Sequence, residues 1–94
     1  ALHDYSIAIE LDNNIAEFYY CRAITYYFLN HFDDAINDCK KALDLDAKTA
    51  KYYNLLGNAQ LALNQYHQAE KNFISAKQID PADATYSKNL AILY

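Results

Sequence analysis

Apolar residues recur along this chain at spacings of three and four, the rhythm of helices with one buried face, and short polar turns interrupt that rhythm at regular intervals. The pattern predicts six helices, over residues 1–11, 16–29, 32–45, 50–63, 66–79 and 84–94. Start and stop signals fall at the same borders. Asn30 and Asn64 stand where two of the helices end, and asparagine is the usual substitute for glycine in the left-handed conformation that closes a helix. Asn14, three residues before Glu17, has the form of a capping box; Thr49 and Asp83 hold the equivalent N-cap positions, and Pro81 breaks the chain just after a helix. Helices of 11 to 14 residues are near the minimum length for stability in water, so these must pack on one another.

The pattern also repeats, with a period of 34 residues. Under that shift Ala1, Ala35 and Ala69 coincide, as do Ala8, Ala42 and Ala76; Leu11, Leu45 and Ile79; Asp12, Asp46 and Asp80; Ala16, Ala50 and Ala84; and Phe18, Tyr52 and Tyr86. Such self-similarity predicts an all-α stack of antiparallel helix-turn-helix units, six helices in all. Ala23, Ala35, Ala42, Gly57, Ala69 and Ala76 are expected where paired helices approach too closely for larger side chains, with Tyr19, Tyr53 and Phe73 as core. The phase places a second helix over 1–15, full units over 16–49 and 50–83, and the first helix of a following unit, or a cap, over 84–94. The chain so divided has the form of a segment excised from a longer array, and part of the apolar face of its opening helix, including Leu2, Tyr5 and Ile9, is expected to be exposed.

The unit 50–83 resembles the tetratricopeptide repeat. Numbered from its first residue, the family pattern has an aromatic at place 4, Leu at 7, Gly at 8, Ala at 20, an aromatic at 24, Ala at 27 and Pro at 32; here these are Tyr53, Leu56, Gly57, Ala69, Phe73, Ala76 and Pro81. In the unit 16–49, Tyr19, Ala23, Tyr26, Ala35 and Ala42 fit, whereas Arg22, Cys39 and Ala47 depart. The resemblance implies a right-handed superhelix whose first helices line a concave groove through places 2, 5, 9, 12 and 13. It therefore implies a groove of Glu17, Tyr20, Ile24, Tyr27 and Phe28, then Lys51, Asn54, Asn58, Leu61 and Ala62, then Thr85, Lys88 and Ile92. Asn54 and Asn58, one turn apart, are suited to hold the backbone of an extended peptide, with Tyr20, Tyr27 and Phe28 taking its apolar side chains. Two other readings stay open: the aromatic helix 16–29 packs against a neighbouring repeat of the parent chain, or the asparagines are only solvated surface.

The runs around Tyr19–Ala23 and Asp34–Tyr53 are most similar to small glutamine-rich cochaperones of the Hsp70/Hsp90 system, which hold a C-terminal carboxylate in a clamp of Lys, Asn and Arg. In that register Lys51 agrees, but Cys21 stands at the Asn place and Leu55 at the Arg place; one register along, Asn58 and Asn89 match while Asn54 stands where Lys belongs. The expected function is a protein-binding scaffold for an extended peptide or partner helix, with a carboxylate clamp or a purely structural segment as the alternatives.

Composition narrows this further. The formal charge of −4 divides into −6 over residues 1–47 and +2 over 48–94, with no clustered basic stripe, so nucleic acid is not an expected partner. No apolar run is long enough to span a bilayer, and a membrane is not expected either. Cys21 and Cys39 lack the paired spacing of a zinc or redox motif and are expected as buried free thiols, which favours the cytoplasm or nucleus. His3, His31 and His67 have no partners at ligand spacing, Asp33–Asp34 and Asp44–Asp46 lack a calcium-loop pattern, and no nucleophile triad or glycine-rich phosphate cradle is present. No cofactor, metal or catalytic activity is expected.

Overall fold

The computed structural model describes residues 2–93, except that the side chains at 84, 86, 87, 92 and 93 lie outside the described residues. It contains six helices: α1 (Leu2–Leu11), α2 (Ala16–Phe28), α3 (Phe32–Leu45), α4 (Ala50–Ala62), α5 (Tyr66–Ile79) and α6 (Ala84–Leu93). Each helix packs on the next, and α2 also meets α4. The even-numbered helices therefore lie side by side in one layer, backed by the odd-numbered helices. Among the described residues there is no strand.

The intra-unit turns close as expected from their asparagines. Asn30 and Asn64 both have φ of 62°, in the left-handed region. Around each, the helix ends in a Schellman motif: His31 N–H donates to the Tyr26 carbonyl at 2.9 Å and Asn30 N–H to Tyr27 at 3.0 Å, with Gln65 to Gln60 and Asn64 to Leu61 repeating the geometry. The turns between units differ from expectation. Asn14 is not an N-cap: that position falls on Ile15, which makes no side-chain cap bond, while Asn14 gives its backbone N–H to Asp12 Oδ1 at 3.0 Å. Asp46 repeats this turn with Lys48 N–H at 3.0 Å; Thr49 holds the N-cap position of α4 as expected, but its hydroxyl donates to the same carboxylate at 2.7 Å and makes no cap bond. These carboxylates are the stronger acceptors for the turn, and the bonds hold Asp46 below its ordinary pKa. Asp83 serves its helix with its side chain as well, accepting the Thr85 N–H at 2.9 Å.

The core follows the small residues. Ala23, Ala35, Ala42, Ala69 and Ala76 are fully buried, as is Phe73, and Tyr19 is buried; Tyr53 is only half-buried against Ala50 and Ala76. Ile9, expected to be partly exposed, packs with Tyr19, Ala42 and Tyr52; the exposed apolar residues of α1 are Ile7 and Leu11. The two full units solve the same packing problem with different residues. A Cβ on Gly57 would lie 2.6 Å from a ring carbon of Phe73, so the bulky ring demands glycine opposite it. In the preceding unit the same two places hold Ala23 and Cys39, a slightly larger residue facing a much smaller one.

A second set departs in concert. Arg22 stands where the other unit has Leu56, and its guanidinium makes a bidentate pair with Asp38, both bonds 2.7 Å, with the carboxylate 7% exposed. The Arg22 guanidinium carbon also lies 5.9 Å from the ring centroids of Tyr19 and Tyr26, and NH1 reaches Ser6 on α1 at 3.4 Å. In the next unit Asn72 replaces Asp38 and donates to Gln60, which replaces Tyr26, at 2.6 Å. Each unit carries a closed, mutually satisfied set.

The Gly57–Phe73 contact gives a prediction whose sign reverses with context. Gly57→Ala in the wild type should lose about 1–3 kcal/mol by overpacking, less the roughly 0.5–1 kcal/mol that alanine gains in a helix. In a Phe73→Cys background, which itself loses about 3–5 kcal/mol, the same change should stabilise. Urea denaturation of the four proteins measures this; an equal effect of Gly57→Ala in both backgrounds would contradict the packing described.

Candidate functional site

The even-numbered helices must be read place by place, because bonds between them set which side chains remain available. Glu17 in the first turn of α2 meets Lys51 in the first turn of α4, Nζ to Oε1 3.0 Å, and its other oxygen accepts the Tyr52 hydroxyl at 3.1 Å. Burial first, and then this bond to Glu17, pushes the Tyr52 pKa up to about 12, so the phenol remains a donor throughout the physiological range. The Lys51 ammonium sits 4.9 Å from the Tyr20 ring centroid and 5.9 Å from that of Tyr52, and the two rings are tilted with centroids 5.0 Å apart. Four residues from two helices thus form one cluster.

Further along, Asn54 is not a free amide. Asn89 on α6 donates its Nδ2 to Asn54 Oδ1 at 2.6 Å, tying α4 to α6. A clamp made jointly by Asn54 and Asn58 would have to open this bond. Asn58 is half-buried and, among the described residues, makes no side-chain hydrogen bond, while Lys88 is exposed.

The aromatic wall is divided between packing and display. Tyr20 lies on Tyr52, Ile24 packs on the cluster of Ala23, Ile36 and Cys39, and Tyr27 meets Phe32 edge-on with centroids 5.5 Å apart. Phe28, edge-on to Tyr27 at 5.7 Å, is 77% exposed. Leu61 packs on Ala69, Phe73 and Leu90, whereas Ala62 and Thr85 are exposed. The side chain of Ile92 lies outside the described residues. At the clamp places, Leu55 is buried in the core and Cys21 is a half-buried free thiol.

The pairing of Arg22 with Asp38 and the internal engagement of Glu17 were missed from sequence. A bidentate bond across helices leaves no local signature, but the simultaneous loss of Leu at 22 and Asn at 38 relative to 56 and 72 was a readable hint. Among the described residues no group of three or more His, Cys, Asp or Glu side chains is arranged to hold a metal, and no helix is long and apolar enough to cross a membrane.

The thiols differ in environment. Burial, then the charge of Asp38, pushes the pKa of Cys39 up to about 12; burial, then Glu17, also raises that of Cys21, which is only half-buried. Alkylation at pH 8 with mass mapping should modify Cys21 first and Cys39 only as the protein unfolds. Prior modification of Cys39 would contradict the core packing.

Two stretches, residues 16–48 and 50–83, match models of the tetratricopeptide repeat. Among solved structures, the TPR domain of Arabidopsis OM64 is 32% identical with a TM-score of 0.96, over 99% of this chain and 77% of that one. The TPR2B domain of yeast Sti1, solved as a complex with pHsp70, is 27% identical with a TM-score of 0.88, over 100% of this chain and 77% of that one. The second TPR domain of human RPAP3, solved with the HSP70 peptide SGPTIEEVD, is 23% identical with a TM-score of 0.94 over 98% and 77% of the two chains, and bears on the fold alone. No curated protein matches the chain.

Proposed function

Because this chain belongs to the tetratricopeptide repeat family, we propose that it is a protein-binding scaffold whose α2–α4–α6 layer forms a concave face that takes an extended peptide of a partner protein. Proteins of this family are typically scaffolds and not enzymes. The division into a second helix over 1–15, units over 16–49 and 50–83 and a first helix over 84–94 is part of this reading. So is residence in the cytoplasm or nucleus, supported by two unpaired thiols.

The observation that carries the proposal is Asn58. A half-buried amide without a side-chain partner among the described residues offers a donor and an acceptor to a peptide backbone, and Lys51 and Lys88 are exposed in the same layer. Apolar side chains of the peptide would lie toward Tyr20, Ile24, Tyr27 and Phe28, its acidic groups toward the lysines. Asn54 and Asn89 contribute by holding α4 and α6 in register.

A second reading is favoured by one observation: Lys51, the residue that agrees with the cochaperone clamp, presents a half-exposed ammonium on this layer. That reading makes the ligand a free C-terminal carboxylate, and the 27% identical Sti1 domain is one solved as a complex with pHsp70. The peptide SGPTIEEVD serves as probe for both.

Calorimetry with that peptide and its C-terminal amide separates the readings. Groove binding predicts that Asn58→Ala loses about 0.5–1.5 kcal/mol, roughly two- to twelvefold in Kd, with little dependence on amidation. A carboxylate clamp predicts that amidation abolishes binding, that Lys51→Ala or Lys88→Ala weakens it strongly, and that affinity falls with salt. A structural segment filled by neighbouring repeats predicts no binding at all, and that result would overturn both.

A further inference from the structure

The carboxylate of Glu17 is already held as a bound acidic group would be. Two donors from α4 converge on it, the Lys51 ammonium at 3.0 Å on Oε1 and the Tyr52 hydroxyl at 3.1 Å on Oε2, although the acid itself comes from α2. The Tyr52 bond fixes the carboxylate so that its other oxygen faces Lys51. The rings of Tyr20 and Tyr52 confine the ammonium on another side, at 4.9 and 5.9 Å from their centroids. Glu17 and Lys51 occupy the same place in successive units, 34 residues apart, so stacking of the repeats brings them together without any special loop. Both side chains are close to half exposed, at 47% and 46%, and either can leave the pair by rotating into water.

We infer that Glu17 is an internal competitor for the acidic groups of the partner peptide: it occupies Lys51 in the free protein and yields it to an aspartate, glutamate or C-terminal carboxylate in the complex. This rests on the reading that the α2–α4–α6 layer binds a peptide. Electrostatics sets the competition. An incoming carboxylate that approaches Lys51 meets the Glu17 charge within a few ångströms, so it must either tolerate the repulsion or displace the pair. An exposed ion pair is weak, which makes displacement accessible and limits the expected penalty on affinity to about two- to fivefold. The device favours ligands with two or more acidic groups over those with one, because a single charge only replaces what is already there.

The bland alternative is that Glu17 simply stabilises the N-terminal turn of α2 by its charge, with no bearing on ligands. A double-mutant cycle distinguishes them. SGPTIEEVD is titrated into the wild type, Glu17→Gln, Lys51→Ala, the double variant, and Asp44→Asn as a control that removes one negative charge from the exposed face of α3. Competition predicts that Glu17→Gln binds about two- to fivefold tighter than the wild type, that Asp44→Asn changes affinity less, and that the gain from Glu17→Gln disappears when Lys51 is alanine. If the wild type binds and Glu17→Gln leaves affinity unchanged or weakens it, the competitor role is overturned while the peptide-binding reading stands. A gain of the same size in the Lys51→Ala background overturns it too, since the effect would then be net charge alone. Absence of binding to the wild type and to Glu17→Gln alike overturns both.

Discussion

The close approach of paired helices through residues that cannot be larger is the constraint on which this structure depends. Ala23, Ala35, Ala42, Ala59, Ala69 and Ala76 have no exposed surface, and Gly57 has no room for even a β-carbon beside the Phe73 ring. Small residues let helix axes come to the short end of the usual packing distance, about 8 Å, and the offset between hairpins then follows from shape. With that offset, Glu17 meets Tyr52 and Asn54 meets Asn89, both 35 residues apart. A one-residue error in the hairpins would dissolve both bonds. The candidate binding layer is therefore a consequence of core geometry, and Tyr52 belongs to both, its ring buried with Ile9, Tyr19 and Ala42 and its hydroxyl on Glu17.

What the sequence made legible was what it encodes locally or by repetition. The period located all six helices to within a residue or two, and Asn30 and Asn64 announced their left-handed turns because that conformation is a property of a single residue. Asn14 gives its own N–H to Asp12, which leaves the N-cap to Ile15, and Thr49 holds the expected N-cap position of α4 but turns its hydroxyl to Asp46 instead of to the first turn; a motif read by spacing does not weigh these neighbouring carboxylates. The Arg22–Asp38 pair has no local motif for another reason: the two residues sit on different helices, only the folded hairpin brings their side chains together, and the joint change from Leu56 and Asn72 is its one trace in the sequence. At the candidate site the sequence named Glu17, Lys51 and Asn54 as separate residues of a groove. It did not reveal that Glu17 and Lys51 neutralise each other or that Asn54 is held by Asn89, since both facts depend on the offset between repeats.

Two departures of the unit 16–49 from the family pattern, Arg22 and Cys39, have a common physical sense. Where Leu56 and Asn72 lie in one unit, Arg22 and Asp38 lie in the other, and where Gly57 faces Phe73, Ala23 faces Cys39. Exchange of single residues between units would leave a buried charge unpaired, a loss of about 3–5 kcal/mol, or set a β-carbon against the ring, a loss of about 1–3 kcal/mol. Exchange of whole sets would not. Each repeat is thus internally consistent while its exposed places vary freely, which explains how neighbouring helices come to carry an aromatic wall on α2 and an amide and lysine wall on α4 and α6. Binding specificity can change in such a scaffold without disturbing the core.

The central claim is that the layer formed by α2, α4 and α6 is the binding face. Titration of labelled protein with SGPTIEEVD, followed by amide and side-chain NMR shifts, tests it most directly. The account predicts the largest shifts at Tyr20, Lys51, Asn58 and Lys88, with the outward residues of α3 and α5, such as Lys40, Asp44 and Lys71, unmoved. Shifts concentrated on α3 and α5, with Asn58 and Lys88 silent, would contradict it.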